Sequence, residues 1–219
     1  MRFNCNFIVL NLSDNLSMGG LTLTAQHHAH HRFPDKMAFL LNNPIRRRLN
    51  PPERLISKLG IDSSDVVVDF GCGPGFITIP LAKVAGRVMG VDVSQGMLER
   101  ANRYAKRKRV PIELIQSDGT NLKLADSSVD LILLNHVFHE VENKRGTLRE
   151  FIRVLKPSGK VAIVEKTRGD GILSRKFGPP IIDEGELTQE LRESGFNSVQ
   201  AIPYGKDSII IGQKAEPSP

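Results

Sequence analysis

Cysteine is nearly absent: the 219 residues contain two, Cys5 and Cys72, and there is no tryptophan. Two thiols so far apart supply neither a disulfide framework nor a zinc-ligand spacing, and they suit a reducing compartment. Long hydrophobic runs are also lacking. No stretch approaches the roughly 18–20 apolar residues that cross a bilayer, and the run Phe7-Ile8-Val9-Leu10 is shorter than the ~7–15-residue core of a secretory signal. The cytoplasm is therefore the expected location. No internal repeat or linker-like segment divides the chain, so its length predicts one domain with a substantial core. Aromatic residues make up only 5%, and no basic segment is interleaved with aromatics in the manner that stacks nucleic-acid bases. Thirty basic residues against 24 acidic ones give a net charge of +6. Nucleic acid is thus a possible partner but not the favoured one, because a solvated basic exterior has the same charge.

What is present centres on Val66-Val67-Val68-Asp69-Phe70-Gly71-Cys72-Gly73-Pro74-Gly75-Phe76. The apolar run with its β-branched lead predicts a strand buried on both faces, as in the middle of a parallel sheet. Gly71, Gly73 and Gly75 then allow a tight turn with no Cβ in the way, so that a ligand can lie on backbone. Pro74 suits the first turn of a following helix, where no N–H is needed. The dinucleotide-binding fingerprint would place its third glycine at Phe76, whereas here the spacing is D-x-G-x-G-x-G. The carboxylate of Asp69 beside the loop disfavours a pyrophosphate and favours a ligand carrying an ammonium and a sulfonium.

Further along, Arg87–Val91 read as a second strand with Asp92 at its end, about 20 residues past Gly71, where a carboxylate can share its oxygens between two ribose hydroxyls. Ser94 is a plausible N-cap for a helix whose apolar stripe includes Met97, Leu98, Ala101 and Ala105 and whose end carries Lys106, Arg107, Lys108 and Arg109. Cations there stabilise the helix itself. Ile112–Gln116 and Ser128–Asn135 predict two more strands. Leu148, Phe151, Ile152 and Leu155 recur at helical spacing, Lys156–Gly159 reads as a turn, and Val161–Glu165 as a fifth strand. Asp183 and Glu186 resemble a capping box, and Val199–Tyr204 with Ser208–Gly212 predict a closing hairpin.

The order and spacing of these features resemble the class I S-adenosylmethionine-dependent methyltransferases over about residues 31–214. The string Arg153-Val154-Leu155-Lys156-Pro157-Ser158-Gly159-Lys160 resembles the turn of the methyltransferase type 11, ubiquinone/menaquinone-type branch. The resemblance implies an α/β Rossmann-like doubly wound sheet of about seven strands, mostly parallel, with one antiparallel strand near the C-terminus. It implies S-adenosylmethionine as cofactor, held by Asp69, Gly71, Cys72, Gly73, Gly75, Asp92, Val93, Met97, Asp118, Gly119 and Asn135. Within that set, Asp118 would accept from the adenine amino group and Gly119 would leave space beside the ring. Residues 1–30 are expected to form a flexible leader, and 31–219 the methyltransferase domain, with a helical lid over about 31–60 opened in part by Pro51-Pro52 and ending at Gly60. A second methionine, Met18, is an alternative start. His27, His28, His30 and His31 have no carboxylate or cysteine at ligand spacing, so a mobile tail rather than a metal site is expected.

The segment Asn135-His136-Val137-Phe138-His139-Glu140-Val141 lies where strand ends line the crevice of an open α/β sheet. His139 is the candidate catalytic residue, a general base for a hydroxyl or an acidic carbon; an equal reading has it merely hydrogen-bonding the loop. Glu140 is read as a helix-start or surface residue. Displacement from a sulfonium needs alignment more than a dedicated side chain. A small-molecule acceptor is the leading reading. An RNA or protein acceptor, a non-catalytic cofactor-binding scaffold and, more remotely, a NAD-dependent oxidoreductase are the alternatives.

Overall fold

The computed structural model describes Arg47, Arg48, residues 50–169 and residues 180–216. The leader expected over 1–30, its histidine cluster, most of the segment 31–50, residues 170–179 and residues 217–219 lie outside the described residues.

Seven strands form one sheet: β1 (Val66–Phe70), β2 (Arg87–Asp92), β3 (Glu113–Gln116), β4 (Val129–Asn135), β5 (Leu155–Lys166), β6 (Phe196–Tyr204) and β7 (Asp207–Lys214). Their spatial order is β3-β2-β1-β4-β5-β7-β6. The first five run parallel, and β7 alone runs against its neighbours β5 and β6. The sheet class, strand number and single reversed strand are as the resemblance implies. The chain reverses its direction of winding between β1 and β4, which opens a crevice beyond their carboxyl ends.

The period of two along each strand divides the core. Val68, Phe70, Met89, Val91, Ile132 and Leu134 point to one face, and Val67, Val88, Leu131 and Leu133 to the other. On the first face pack α4 (Lys144–Val154) and α5 (Glu184–Glu193), through Leu148, Phe151, Leu187 and Leu191. On the second lie α1 (Pro52–Leu59), through Leu55, Ile56 and Leu59, and α2 (Thr78–Leu81). The 14-residue α3 (Gln95–Lys108) sits beside α2 against β2 and β3. Caps explain where these helices start and stop. Ser94 accepts from the Met97 N–H, Asp183 accepts from the Glu186 N–H, and Gly60 closes α1 in the left-handed region at φ 61°.

Two local expectations are corrected. Pro74 does not enter a helix: α2 begins only at Thr78, after a run of turns, and lasts four residues. Pro80 stands in its first turn, where a missing N–H is tolerated. The Lys156–Gly159 segment is not a separate turn before the strand but a bulge inside β5. Val129 faces Leu155 while Leu131 faces Lys160, so four residues oppose Asp130 alone. Ser158 takes the left-handed conformation there (φ 61°). Lys156 Nζ donates to both Asp130 oxygens at 2.9 and 2.7 Å, and Asp130 also accepts the Val66 N–H at 2.9 Å, which ties the bulge to the start of β1.

Candidate functional site

The loop after β1 is folded back onto β2. The N–H groups of Gly71 and Cys72 both donate to the Val91 carbonyl, at 2.8 and 2.9 Å. The three glycines, expected to clear one common surface, serve three different purposes. A Cβ on Gly71 would stand 2.4 Å from Val137 Cγ2, so this glycine admits the segment after β4. A Cβ on Gly75 would lie 3.4–3.5 Å from Ala101 of α3 and Ile79 of α2, so this glycine faces those helices. Only at Gly73 (φ 52°) would a Cβ meet nothing within 4 Å. The Cys72 side chain points inward, where a Cβ on Gly90 would meet its Sγ at 3.0 Å. Burial foremost, and then the charges of Asp69 and Asp92, push its thiol pKa well up.

Asp69 lies at 3% exposure beneath this loop and accepts from the Thr78 hydroxyl at 2.6 Å. Burial is the main cause that raises its pKa to about 6, with the Asp92 charge adding to it and the Thr78 hydrogen bonds opposing it. Asp92, at the carboxyl end of β2, accepts the Gly73 N–H on one oxygen and the Ser94 N–H on the other, each at 2.9 Å. It therefore anchors the open point of the glycine loop to the start of α3.

Beside Asp92, Val93 leaves 39% of its surface exposed, an apolar shelf, whereas Met97 is buried at 4% within α3's packing. Asp118 follows β3 and accepts both the N–H and the hydroxyl of Thr120, at 2.9 and 2.7 Å. Gly119 is buried; a Cβ on it would meet the Phe70 ring at 2.7 Å and Thr147 at 2.8 Å, so the space its missing side chain leaves is filled by the core. Asn135 ends β4, half-buried, opposite Val164.

The structure thus brings Asp69, Gly71, Gly73, Asp92 and Val93 to the carboxyl ends of β1 and β2, with Asp118 at the end of β3 and Asn135 at the end of β4. Cys72, Met97 and Gly119 face the core. Gly73 leaves open space where a Cβ would stand, and beside it the two Asp92 oxygens are oriented by backbone N–H groups. Asp69 is a buried carboxylate whose charge a nearby cation would relieve. This donor set fits a nucleoside with a cationic amino-acid arm.

The segment after β4 is held at every residue. His136 adopts φ 55°, and its Nε2 lies 3.3 Å from Asp207 Oδ2. Val137 closes over Gly71, and Phe138 is buried in a short 3₁₀ helix, Phe138–Glu140. His139 places Nδ1 3.1 and 3.0 Å from the two Glu165 oxygens, and its backbone N–H donates to Glu165 at 3.2 Å. Burial is the largest influence on His139 and lowers its pKa, but the Glu165 hydrogen bond and charge, with Glu140, outweigh it, and the net shift is upward. Glu140 ends the 3₁₀ helix, and its Oε1 is 3.8 Å from His139 Nε2.

Glu165 itself, fully buried in β5, escaped the sequence reading, as did His136, Thr78 and Asp207. The available signal was a lone acid at the end of Val161-Ala162-Ile163-Val164, a place where an unpartnered charge is costly. The Arg47 guanidinium donates to the Tyr104 hydroxyl at 2.7 Å and lies 5.9 Å from the Phe76 ring centroid. Among the described residues, no group of histidines, cysteines and acids is arranged to hold a metal, and no helix is long and apolar enough to cross a membrane.

Residues 68–163 match a protein family described as a methyltransferase domain. The solved structure of a methyltransferase dependent on S-adenosylmethionine, from Aquifex aeolicus, has a TM-score of 0.75 and 27% identity, over 83% of this chain and 99% of its own. These similarities support a class I S-adenosylmethionine-dependent methyltransferase. Within that class, a demethylmenaquinone methyltransferase of Lactobacillus johnsonii is 34% identical over 121 residues, 53% of this chain and 50% of that protein. A ubiquinone biosynthesis O-methyltransferase of Rickettsia canadensis is 32% identical over 126 residues, 56% of this chain and 50% of that protein. The chain thus spans about half the length of these curated relatives.

Proposed function

We propose that this protein transfers a methyl group from S-adenosylmethionine to a small-molecule acceptor, a ring hydroxyl or ring carbon of quinone-related type. The observation that carries the reading is the opening at Gly73 directly beside Asp92, at the point where the sheet reverses its winding. The donor's sulfonium supplies an already activated methyl group. Asp92 would hold the ribose hydroxyls, Asp69 and the Gly71–Gly75 loop the amino-acid arm, and Val93 and Asp118 the adenine. Asn135 and the His136–His139 segment would border the acceptor. The protein's own contribution is alignment and exclusion of water, with His139 taking a proton where the acceptor carries one. The names of the quinone methyltransferase relatives support the acceptor class.

Two measurements test this. Asp92→Ala and Gly73→Arg are expected to abolish binding of S-adenosylhomocysteine, and normal binding by either variant would displace the site. Labelled S-adenosylmethionine, incubated with the protein and cell extract, is expected to mark the small-molecule fraction. Label that is sensitive to nuclease or protease would instead assign a macromolecular acceptor.

A further inference from the structure

Glu165 grips His139 by both its ring and its backbone, through the contacts at 3.0, 3.1 and 3.2 Å. It is also fully buried. A carboxylate in that position accepts hydrogen bonds and offers none, so the hydrogen on a neutral His139 ring has to reside on Nδ1. The lone pair then resides on Nε2, the nitrogen away from Glu165. We propose that Glu165 is a positioning residue that holds His139 in the Nδ1–H tautomer, makes Nε2 the proton acceptor of the site, and stabilises the imidazolium once Nε2 has taken a proton. This rests on the reading above that the His136–His139 segment borders the acceptor.

The surroundings agree with a device of this kind rather than with a plain structural tie. Glu165 also has a second histidine near it: His136 Nδ1 is 4.0 Å from Oε2, the oxygen that lies 3.0 Å from His139 Nδ1. His136 is in turn set against Asp207 of β7. His136 is fixed at φ 55° and Val137 is wedged over Gly71, so the route from β4 to His139 has little freedom to swing the ring off Glu165. The charged groups that face His139 are Glu165 from β5, Glu140 from its own 3₁₀ helix and Lys144 from α4. Two acids against one lysine favour the protonated ring, and the His139 side chain still keeps 14% exposure. The proton balance is simple: the acceptor atom loses a proton, Nε2 gains it, Glu165 stays ionised, and the proton leaves from Nε2 to solvent after turnover.

The test reads the ring directly and needs no acceptor. Full-length protein labelled with ¹⁵N-histidine is titrated by long-range ¹H–¹⁵N NMR, with the His139 signals assigned by their loss in His139→Asn. In the wild type, the neutral ring is expected to carry its hydrogen on Nδ1. In Glu165→Gln, the midpoint is expected to fall by about one pH unit or more, since a carboxylate this close shifts a partner by about that much. A wild-type ring protonated on Nε2 overturns the proposal, and so does an unchanged midpoint in a folded Glu165→Gln. The wild-type tautomer decides even where the variant does not fold. Binding of S-adenosylhomocysteine does not enter this measurement, so a failure here and a failure of the methyltransferase reading are told apart.

Discussion

Val137 closes the space over Gly71: a single added Cβ there would lie 2.4 Å from Val137 Cγ2, across 66 positions of chain. The glycine loop after β1 and the segment after β4 are therefore fitted to one another. Gly71→Ala forces both an overpacked contact and a left-handed alanine, and is expected to lower stability by roughly 3 kcal/mol or more. Gly73→Ala meets no atom within 4 Å and should lose only about 1–2 kcal/mol, from the left-handed backbone alone. Urea midpoints measure both. Adding Val137→Ala to Gly71→Ala should return part of the loss, and no recovery would mean the clash is not the cause.

Asp69 gives a pH dependence of unusual sign. Its folded pKa, about 6, stands above the unfolded value near 3.9, so the folded state binds the extra proton between them. Stability of the ligand-free protein from this group falls as pH rises from about 4 to 6 and stays low above. The full effect is on the order of 3 kcal/mol. Asp69→Asn should flatten that part of the urea-midpoint profile and be the more stable protein at pH 7.5. Affinity for the cationic donor should run the other way, weakening below about pH 6 as Asp69 loses its charge.

Glu150 is buried on α4 and accepts the N–H of Leu122 at 2.8 Å, while Arg153 donates to both its oxygens at 2.7 and 2.8 Å and also reaches Asp126. Its pKa is held down, chiefly by the Arg153 hydrogen bond. The stability it contributes is present above the unfolded value of about 4.3 and is lost as pH falls through the lower folded value. Glu150→Ala strands the Leu122 N–H and should lose about 1–3 kcal/mol. Thermal melts at pH 7 and pH 3 check this, with the difference from wild type expected to shrink at the lower pH.

Cys72 should be nearly inert while the protein is folded. Its thiol is buried and its pKa is pushed up, which leaves little thiolate to react. With Cys5 replaced by serine, a thiol reagent at pH 8 should react at the rate of unfolding and not at the rate of a free thiol. Rapid labelling without denaturant would contradict the inward orientation.

Most of the sheet was legible because each buried strand is an uninterrupted apolar run bounded by polar or glycine residues; Val66–Phe70 and Val129–Asn135 differ from expectation by at most one residue. The Lys156–Gly159 bulge was not, since proline, serine and glycine signal a turn equally well when they interrupt a strand as when they precede it. The glycine loop was legible as a loop, but which glycine stays open depends on Val137 and Ala101, far along the chain. Asp92 was found by its distance from the loop. Its bond to Gly73 exists only once β2 lies beside β1. Glu165 was hidden for the same reason: its partner His139 stands 26 residues earlier.

The strand order has one more consequence, for how copies of the chain meet in a crowded solution. The sheet ends in β3 and β6, whose outer backbone groups are templates for pairing with another molecule. β3 is only four residues long and carries Glu113, locked to Arg87 at 2.6 and 2.7 Å. β6 is broken in register between Asn197 and Gln200, with Ser198 at φ 46° and Pro203 near its end. A bulge and a proline on one rim, and a short charged strand on the other, leave no long straight border for a second sheet to extend, so the architecture that opens a crevice at its centre also guards its margins against aggregation.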